Sequence, residues 1–268
     1  MRWINRRPGP PFGAALAIVP FLLLIIAYAV ASDIRRAENP ADKLLPSLPQ
    51  IAETAGRLAT EPDRRSGKVL LWADTAASLE RLALGVGIAA AMGLGFGLAI
   101  GLVPAVTAGL GGFVSAVSLI PPLAVLPILF IVFGLGETSK IALIVIGIAP
   151  VLIRDLAQRT AEIPREMIVK AETLGASTGL IALRVALPQL MPRLFQAVRL
   201  GLGPAWLFLI AAEAIASTEG LGYRIFLVRR YLAMDVILVY VVWIAVLAFL
   251  IDRLLAYTAR RLYPWAAS

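Results

Sequence analysis

An all-α integral membrane protein of about six transmembrane helices is the fold class that this sequence predicts, and three observations predict it. Apolar residues make up 60% of the 268, and the mean hydropathy is +0.85. Several apolar runs reach the roughly 20 residues needed to cross a hydrocarbon core about 30 Å thick. In that environment the backbone must satisfy its own hydrogen bonds, which a helix does within a single segment. The charges point the same way: the net charge is +8, but the basic residues flank the apolar runs and do not form one patch interleaved with aromatics. The expected surroundings are therefore membrane lipid, with no nucleic-acid partner. Finally, there is no cysteine and no histidine. Disulfides, thiolate chemistry, an imidazole base and the common zinc sets are all excluded, so the reading assigns no catalytic residue and no metal ligand.

The first run, 12–31, follows the basic MRWINRR. AYAVAS near its end resembles a signal cleavage site, but the run is longer than a signal core and reads as an uncleaved first helix after a cytoplasmic start at 1–11. Residues 32–77 are largely polar and proline-punctuated, an extracytoplasmic segment with a short helix expected at 49–60. A second span covers 78–103, with Gly93, Gly97 and Gly101 on one face, a spacing that suits close helix contact. Pro104 ends it. The third, 105–134, is interrupted at SLIPPLAVLP, where Pro121, Pro122 and Pro127 remove backbone donors. A broken helix at membrane depth needs protein or a water-lined cavity to satisfy the freed carbonyls. The three prolines are thus candidates for a pathway wall, with a packing kink as the other reading. The fourth span, 141–152, is short and must borrow residues from both flanks. The fifth and sixth cover 194–216 and 236–255.

Between the fourth and fifth spans lies a segment of different character, about 156–192. The stretch 154–199 carries seven cationic residues, and an N-inside arrangement of six spans places thirteen of the 25 lysines and arginines on the cytoplasmic side. The positive-inside rule then puts this segment and both termini, including 258–268, in the cytoplasm. Within it, Pro164 suits a first helical turn, Glu166 its positive end, and Gly175 the left-handed residue that stops a helix. Ser177 or Thr178 is positioned to cap a second helix, with Leu180, Leu183 and Leu187 on one face and Pro188 as its end. Two descriptions fit: an amphipathic pair lying on the membrane surface, or a rigid helix-glycine-helix knob that docks into a partner's groove.

The stretch from Lys170 to Pro188, with a glycine followed thirteen residues later by a proline, resembles the EAA loop of ABC importer permeases. SLERLALGVGIAAAMGLGFGLAIG, PPLAVLPILFIVFGLGETSKI, LGASTGLIALRVALPQLMPRLFQAVRLGLGPAW and AAEAIASTEGLGY extend the likeness to the nitrate/sulfonate/taurine branch over roughly 78–257. The resemblance implies a permease core of five helices in that range and makes the knob an ATPase-coupling loop comprising Glu166, Lys170, Ala171, Glu172, Gly175, Ala176, Ser177 and Pro188. It departs from the family pattern where a glutamate is usual six residues before the glycine. Val169 stands there and Lys170 follows, leaving Glu166 and Glu172 as the alternative carboxylates. The resemblance further implies a homodimer in a bacterial-type inner membrane, two cytoplasmic ATPase subunits that bind ATP and Mg²⁺, and an outer solute-binding protein. The chain itself has no GxxxxGK[ST] loop and is expected to bind no cofactor. A self-sufficient secondary carrier is the alternative, but it calls for inverted repeats and intramembrane ion ligands, and no convincing repeat is visible.

Glu213 lies inside the fifth span, where an ionisable group is expensive and marks a functional candidate. Two readings stand: a pathway residue, or a group near the outer end that reaches water or pairs with Arg224, Arg229 or Arg230. STEGLGYRIFLVRRYLAMD follows, with Glu219 in a glycine turn, and reads as a gate, a receiver for a binding protein, or a solvated loop with a re-entrant turn.

Overall fold

The computed structural model describes residues 9–39, 42–64 and 66–266. The basic start MRWINRR and the last two residues of the expected cytoplasmic tail lie outside the described residues. The elements are α1 (Pro10–Glu38), α2 (Leu48–Thr60), α3 (Leu70–Leu102), α4 (Pro104–Val117), α5 (Pro122–Phe133), α6 (Glu137–Ala161), α7 (Arg165–Thr173), α8 (Thr178–Ile181), a π-helical turn (Ala182–Ala186), α9 (Leu187–Ala216), α10 (Leu221–Arg229) and α11 (Met234–Leu262). No strand occurs among the described residues.

Among the described residues, five helical stretches are long and apolar enough to cross a membrane: α1, α3, α6, α8 to α9, and α11. The fourth span does extend past both of its predicted ends, to Glu137–Ala161. The third is broken, with α4 and α5 meeting at 96°. Turn-closing bonds Leu119 N–H to Ala116 O and Ile120 N–H to Val117 O finish α4, and Pro121 and Pro122 start α5.

Glycine decides how α3 meets α6. A Cβ at Gly85 would lie 2.7 Å from Ile144 Cβ, at Gly93 2.9 Å from Leu152 Cβ, at Gly97 2.7 Å from Leu156 Cβ, and at Gly101 2.6 Å from the Ala157 carbonyl. The predicted glycine face is therefore the contact face, and Gly85 extends it. Moving along α3, each glycine meets a residue equally far along α6, so the two helices run parallel. The chain must consequently return across the full thickness between them, and α4 with α5 makes one broken crossing. Gly101→Leu would force backbone apart and is expected to cost at least 1–3 kcal/mol, read as a lower unfolding temperature in detergent. Gly95→Leu is the control, because no atom lies within 4 Å of its Cβ position; equal stability of the two variants would refute this contact.

α9 runs antiparallel to α3: its end brings Glu213 to Ser78 near the start of α3. At that same end α2 lies across α3 and α11. Thr54 Oγ1 donates to Asp235 at 2.8 Å, Trp72 Nε1 donates to the Ala59 carbonyl at 3.0 Å, and Trp72 meets Trp243 edge to face at 5.5 Å. α1 is tied to the loop before α2 by Tyr28 and Ser32, whose hydroxyls donate to the Pro46 carbonyl at 2.7 Å and the Leu45 carbonyl at 2.9 Å. The described apolar side chains of α1 from Phe12 to Val30 are largely exposed, as those of a lipid-facing helix are.

One boundary expectation is corrected. Pro188 does not end a helix, and the fifth span does not begin at 194: helix continues from Thr178 to Ala216. The π turn widens the ladder just before the proline, with Leu187 N–H bonding back to Ala182 O. The Gln189 side-chain amide donates to the Val185 carbonyl at 2.9 Å. The missing proline donor is absorbed by a local change of pitch, as at other π-bulges.

Candidate functional site

The knob is built by its caps. α7 starts after Pro164 with Glu166 in its first turn. It stops at Gly175, whose φ of 81° is left-handed. Gly175 N–H bonds to Glu172 O at 2.9 Å and Ala176 N–H to Ala171 O at 3.0 Å, the paired closure of a Schellman motif. Of the two candidate caps for α8, Ser177 is the one used: its hydroxyl accepts from Leu180 N–H at 3.4 Å. The bend is thus set by backbone chemistry with little packing behind it, since no residue of α7 is buried.

What the knob displays is apolar. Leu174, at the bend, is 89% exposed, Leu183 63% and Val169 46%. Glu166, Lys170, Glu172, Gly175, Ser177 and Pro188 are exposed, with Ala171 and Ala176 half-buried. Ile181 and Ala186 are buried and anchor the second limb. Among the described residues, no side chain of Glu166, Lys170 or Glu172 is hydrogen-bonded or ion-paired. Val169, where the EAA pattern has glutamate, adds to this apolar surface.

At the other end of the bundle a buried polar cluster joins five helices. Glu213, fully buried, accepts from the Ser78 hydroxyl at 2.7 Å, Arg81 Nη1 at 2.8 Å and Gly222 N–H at 2.9 Å. Arg81 also binds Glu137 through Nε, and through Nη2 at 3.0 Å, and donates to the Glu219 carbonyl at 3.0 Å. Lys140 completes this half with a 2.7 Å bond to Glu137. Asp74, equally buried, accepts from Arg224 Nε at 2.8 Å, the Tyr240 hydroxyl at 2.8 Å and Gly220 N–H at 2.9 Å. Leu221 N–H donates to the Ser78 hydroxyl at 2.9 Å. The first amides of α10 are therefore capped by side chains of α3 and α9, and three carboxylates balance three cations.

The glycines of STEGLGY follow from this closeness. A Cβ at Gly220 would lie 2.6 Å from the Glu213 carboxylate, and one at Gly222 2.6 Å from the Ile210 carbonyl. Glu213, expected either to be a pathway residue or to reach water or pair with Arg224, Arg229 or Arg230, is cut off from water and pairs with Arg81, and Arg224 belongs to Asp74. The Glu219 side chain is exposed and lines, with Arg81, Glu137 and Lys68, an open cleft of about 440 Å³. Asp74, Ser78, Arg81, Glu137, Lys140 and Tyr240 escaped the sequence reading. Arg81 was findable by the rule that singled out Glu213, since it too falls inside a predicted span.

The broken crossing borders a third feature, an apolar crevice of about 380 Å³ between the α4–α5 bend, α6 and α9. Pro122, Ile120, Gly147, Val151, Pro204 and Phe208 are among its walls. Of the three predicted prolines only Pro122 lines it; Pro121 and Pro127 are exposed.

Comparison with known proteins agrees with this architecture. A family model described as "Binding-protein-dependent transport system inner membrane component" matches residues 87–263. The taurine transport system permease protein TauC of Escherichia coli is 41% identical, over 73% of this chain and 71% of its own. The bicarbonate transport system permease protein CmpB of Synechococcus elongatus is 32% identical, over 72% and 69%. Among solved structures, the inward-facing MetNI methionine ABC transporter has a similar fold, with a TM-score of 0.62 at 20% identity over 70% of this chain and 94% of that one.

Proposed function

From the premise that this chain belongs to the family of binding-protein-dependent transport inner membrane components, we propose that it carries a small polar nitrogen- or sulfur-containing solute into the cytoplasm, driven by separate ATPase subunits. It is a transport subunit and not an enzyme. The taurine and bicarbonate relatives and the absence of a phosphate loop in this chain favour a small anionic or zwitterionic solute and ATP hydrolysis elsewhere. Alternating access would take place between two copies of the chain, with an outer binding protein delivering the solute. We take the side of the knob as the cytoplasmic side; with six crossings both termini would lie there too.

The observation that carries this reading is Leu174, 89% exposed at the tip of a capped bend. A large apolar side chain held out at the bend, with Leu183 and Val169 also exposed on the same knob, marks a protein contact. If the knob lay on lipid instead, polar substitution there would alter membrane association and leave ATPase binding alone. Leu174→Asp is expected to weaken association with the ATPase subunits at least tenfold, measured by co-purification and titration of the purified subunits, while membrane insertion stays unchanged. Undiminished association would refute the docking role.

A further inference from the structure

Resting on the transport reading above, we propose that the cleft where α3 and α6 begin binds a small zwitterion by its oxyanion end, with Glu137 as the displaceable counterion of that site. The cleft lies at the end of the bundle opposite the knob and has a volume of about 440 Å³. Arg81 and Glu137 stand on its wall together with Glu80, Glu219 and Lys68, and the small side chains of Ala73, Ala76 and Ala77 leave it open. Such a volume falls within the range of small-molecule sites, roughly 300–1,000 Å³.

Burial of the ion pairs at this cleft is one-sided. The Arg81 and Lys140 side chains are 5% and 4% exposed, whereas that of Glu137, which holds both, is 57% exposed. Glu137 accepts from Arg81 Nε, from Arg81 Nη2 at 3.0 Å and from Lys140 at 2.7 Å. Among the described residues Lys140 has no other hydrogen-bond or ion-pair partner. A buried cation stripped of its anion is costly, but a carboxylate already half in water is readily rehydrated when it leaves. The two cations therefore require an oxyanion at this point, and not that of Glu137 in particular. When Glu137 turns into the cleft, Glu213 still holds Arg81 Nη1 at 2.8 Å, and two cations face one carboxylate. The freed Nε and Nη2 edge of Arg81 is a planar fork that fits a carboxylate or a sulfonate.

The rim selects what carries that oxyanion. Glu80 and Glu219 oppose a single lysine there, Lys68. Among the described residues none of these three side chains is hydrogen-bonded or ion-paired. A second negative group on the ligand is repelled by this rim and an ammonium is attracted. A dianion thus matches the floor alone and a cation the rim alone; a molecule with one oxyanion and one ammonium matches both.

The test is calorimetric titration of the purified full chain in lipid nanodiscs with taurine, methanesulfonate, sulfate and methylammonium. Taurine is expected to bind most tightly, methanesulfonate next, and sulfate and methylammonium least. Glu137→Ala should bind taurine and methanesulfonate about tenfold more tightly, because one charge-assisted bond no longer competes, and both ligands should raise the unfolding temperature of the variant. Glu61→Gln, an equal change of charge at the exposed end of α2, should alter neither affinity. Glu80→Gln with Glu219→Gln should erase the preference for taurine over methanesulfonate. A Glu137→Ala chain that is less stable and indifferent to both oxyanions would make the cluster a structural ion pair and overturn the proposal, as would wild-type binding of methylammonium equal to that of taurine. ATP-driven uptake by the assembled transporter separates this site from the transport reading. With uptake of a zwitterion established, KM in Glu137→Gln should fall, and an unchanged KM would refute the site alone. Absence of any ATP-driven uptake by the wild type would refute the transport reading, and with it the assignment of the cleft to a carried solute.

Discussion

Glu213→Ala is expected to destabilise the protein by about 3–5 kcal/mol, the cost of removing one partner from a buried ion pair. Its carboxylate is wholly buried and holds Ser78, Arg81 and the Gly222 amide at 2.7, 2.8 and 2.9 Å. Alanine would leave all three donors without that acceptor inside the bundle. Glu213→Gln keeps the shape and one acceptor oxygen, so a smaller loss of about 1–3 kcal/mol is expected. The loss should begin locally, because the same carboxylate pins the turn that starts α10: amides of Gly220 to Gly222 should exchange with solvent much faster in the alanine variant before the helices themselves open. Thermal unfolding in detergent and amide hydrogen exchange read the two effects. Unfolding of Glu213→Ala at the wild-type temperature, with those amides still protected, would show that the cluster does not hold this end together.

Gly175→Val should leave stability nearly untouched and abolish coupling. A β-branched residue at a φ of 81° is a genuine backbone outlier, costing about 1–2 kcal/mol or more, yet no atom lies within 4 Å of the Cβ position. The penalty is therefore paid by the bend alone, through loss of the Gly175 to Glu172 and Ala176 to Ala171 bonds. With α7 carrying no buried residue, little packing holds Leu174 in place. Solute uptake driven by the assembled transporter is expected to fall at least tenfold while the amount of chain in the membrane stays constant. Gly175→Asn, which tolerates the left-handed region, should retain most uptake and Gly175→Ala less. Wild-type uptake by the valine variant would remove the knob from the coupling step.

Gly175 lies just before, and Glu213 near the far end of, one continuous helical stretch, Thr178 to Ala216. That stretch is a continuous helical route between the knob and the cluster that joins α3, α6, α9, α10 and α11. The π turn at Ala182–Ala186 is the place where that route is least regular, and it is also where Pro188 denies the helix a donor. A proline expected from the sequence to be a stop thus stands inside a continuous helix.

Much of this was legible without coordinates. Apolar runs of membrane length, the glycine face of α3 and the broken third crossing were all visible, because each depends on residues close in sequence: helical period, proline's missing donor and glycine's missing Cβ act locally. The knob was legible for the same reason, down to the stop at Gly175 and a cap at Ser177 or Thr178. The ionic partners were not. Glu213 and Arg81 are 132 residues apart and Asp74 and Arg224 are 150 apart, and nothing in the spacing of charges says which arginine meets which carboxylate.

By itself, then, the sequence determined a helical membrane protein with a charged, glycine-bent knob between its fourth and fifth spans, since the bilayer leaves each apolar run no choice but helix and the caps act within a turn. Only the tertiary structure decided that α3 and α6 run parallel, that Pro188 continues a helix, and that Glu213 is a structural anchor paired with Arg81. Those outcomes depend on which surfaces and charges meet after the helices pack, and in a low-dielectric interior every buried charge must find its partner across that packing.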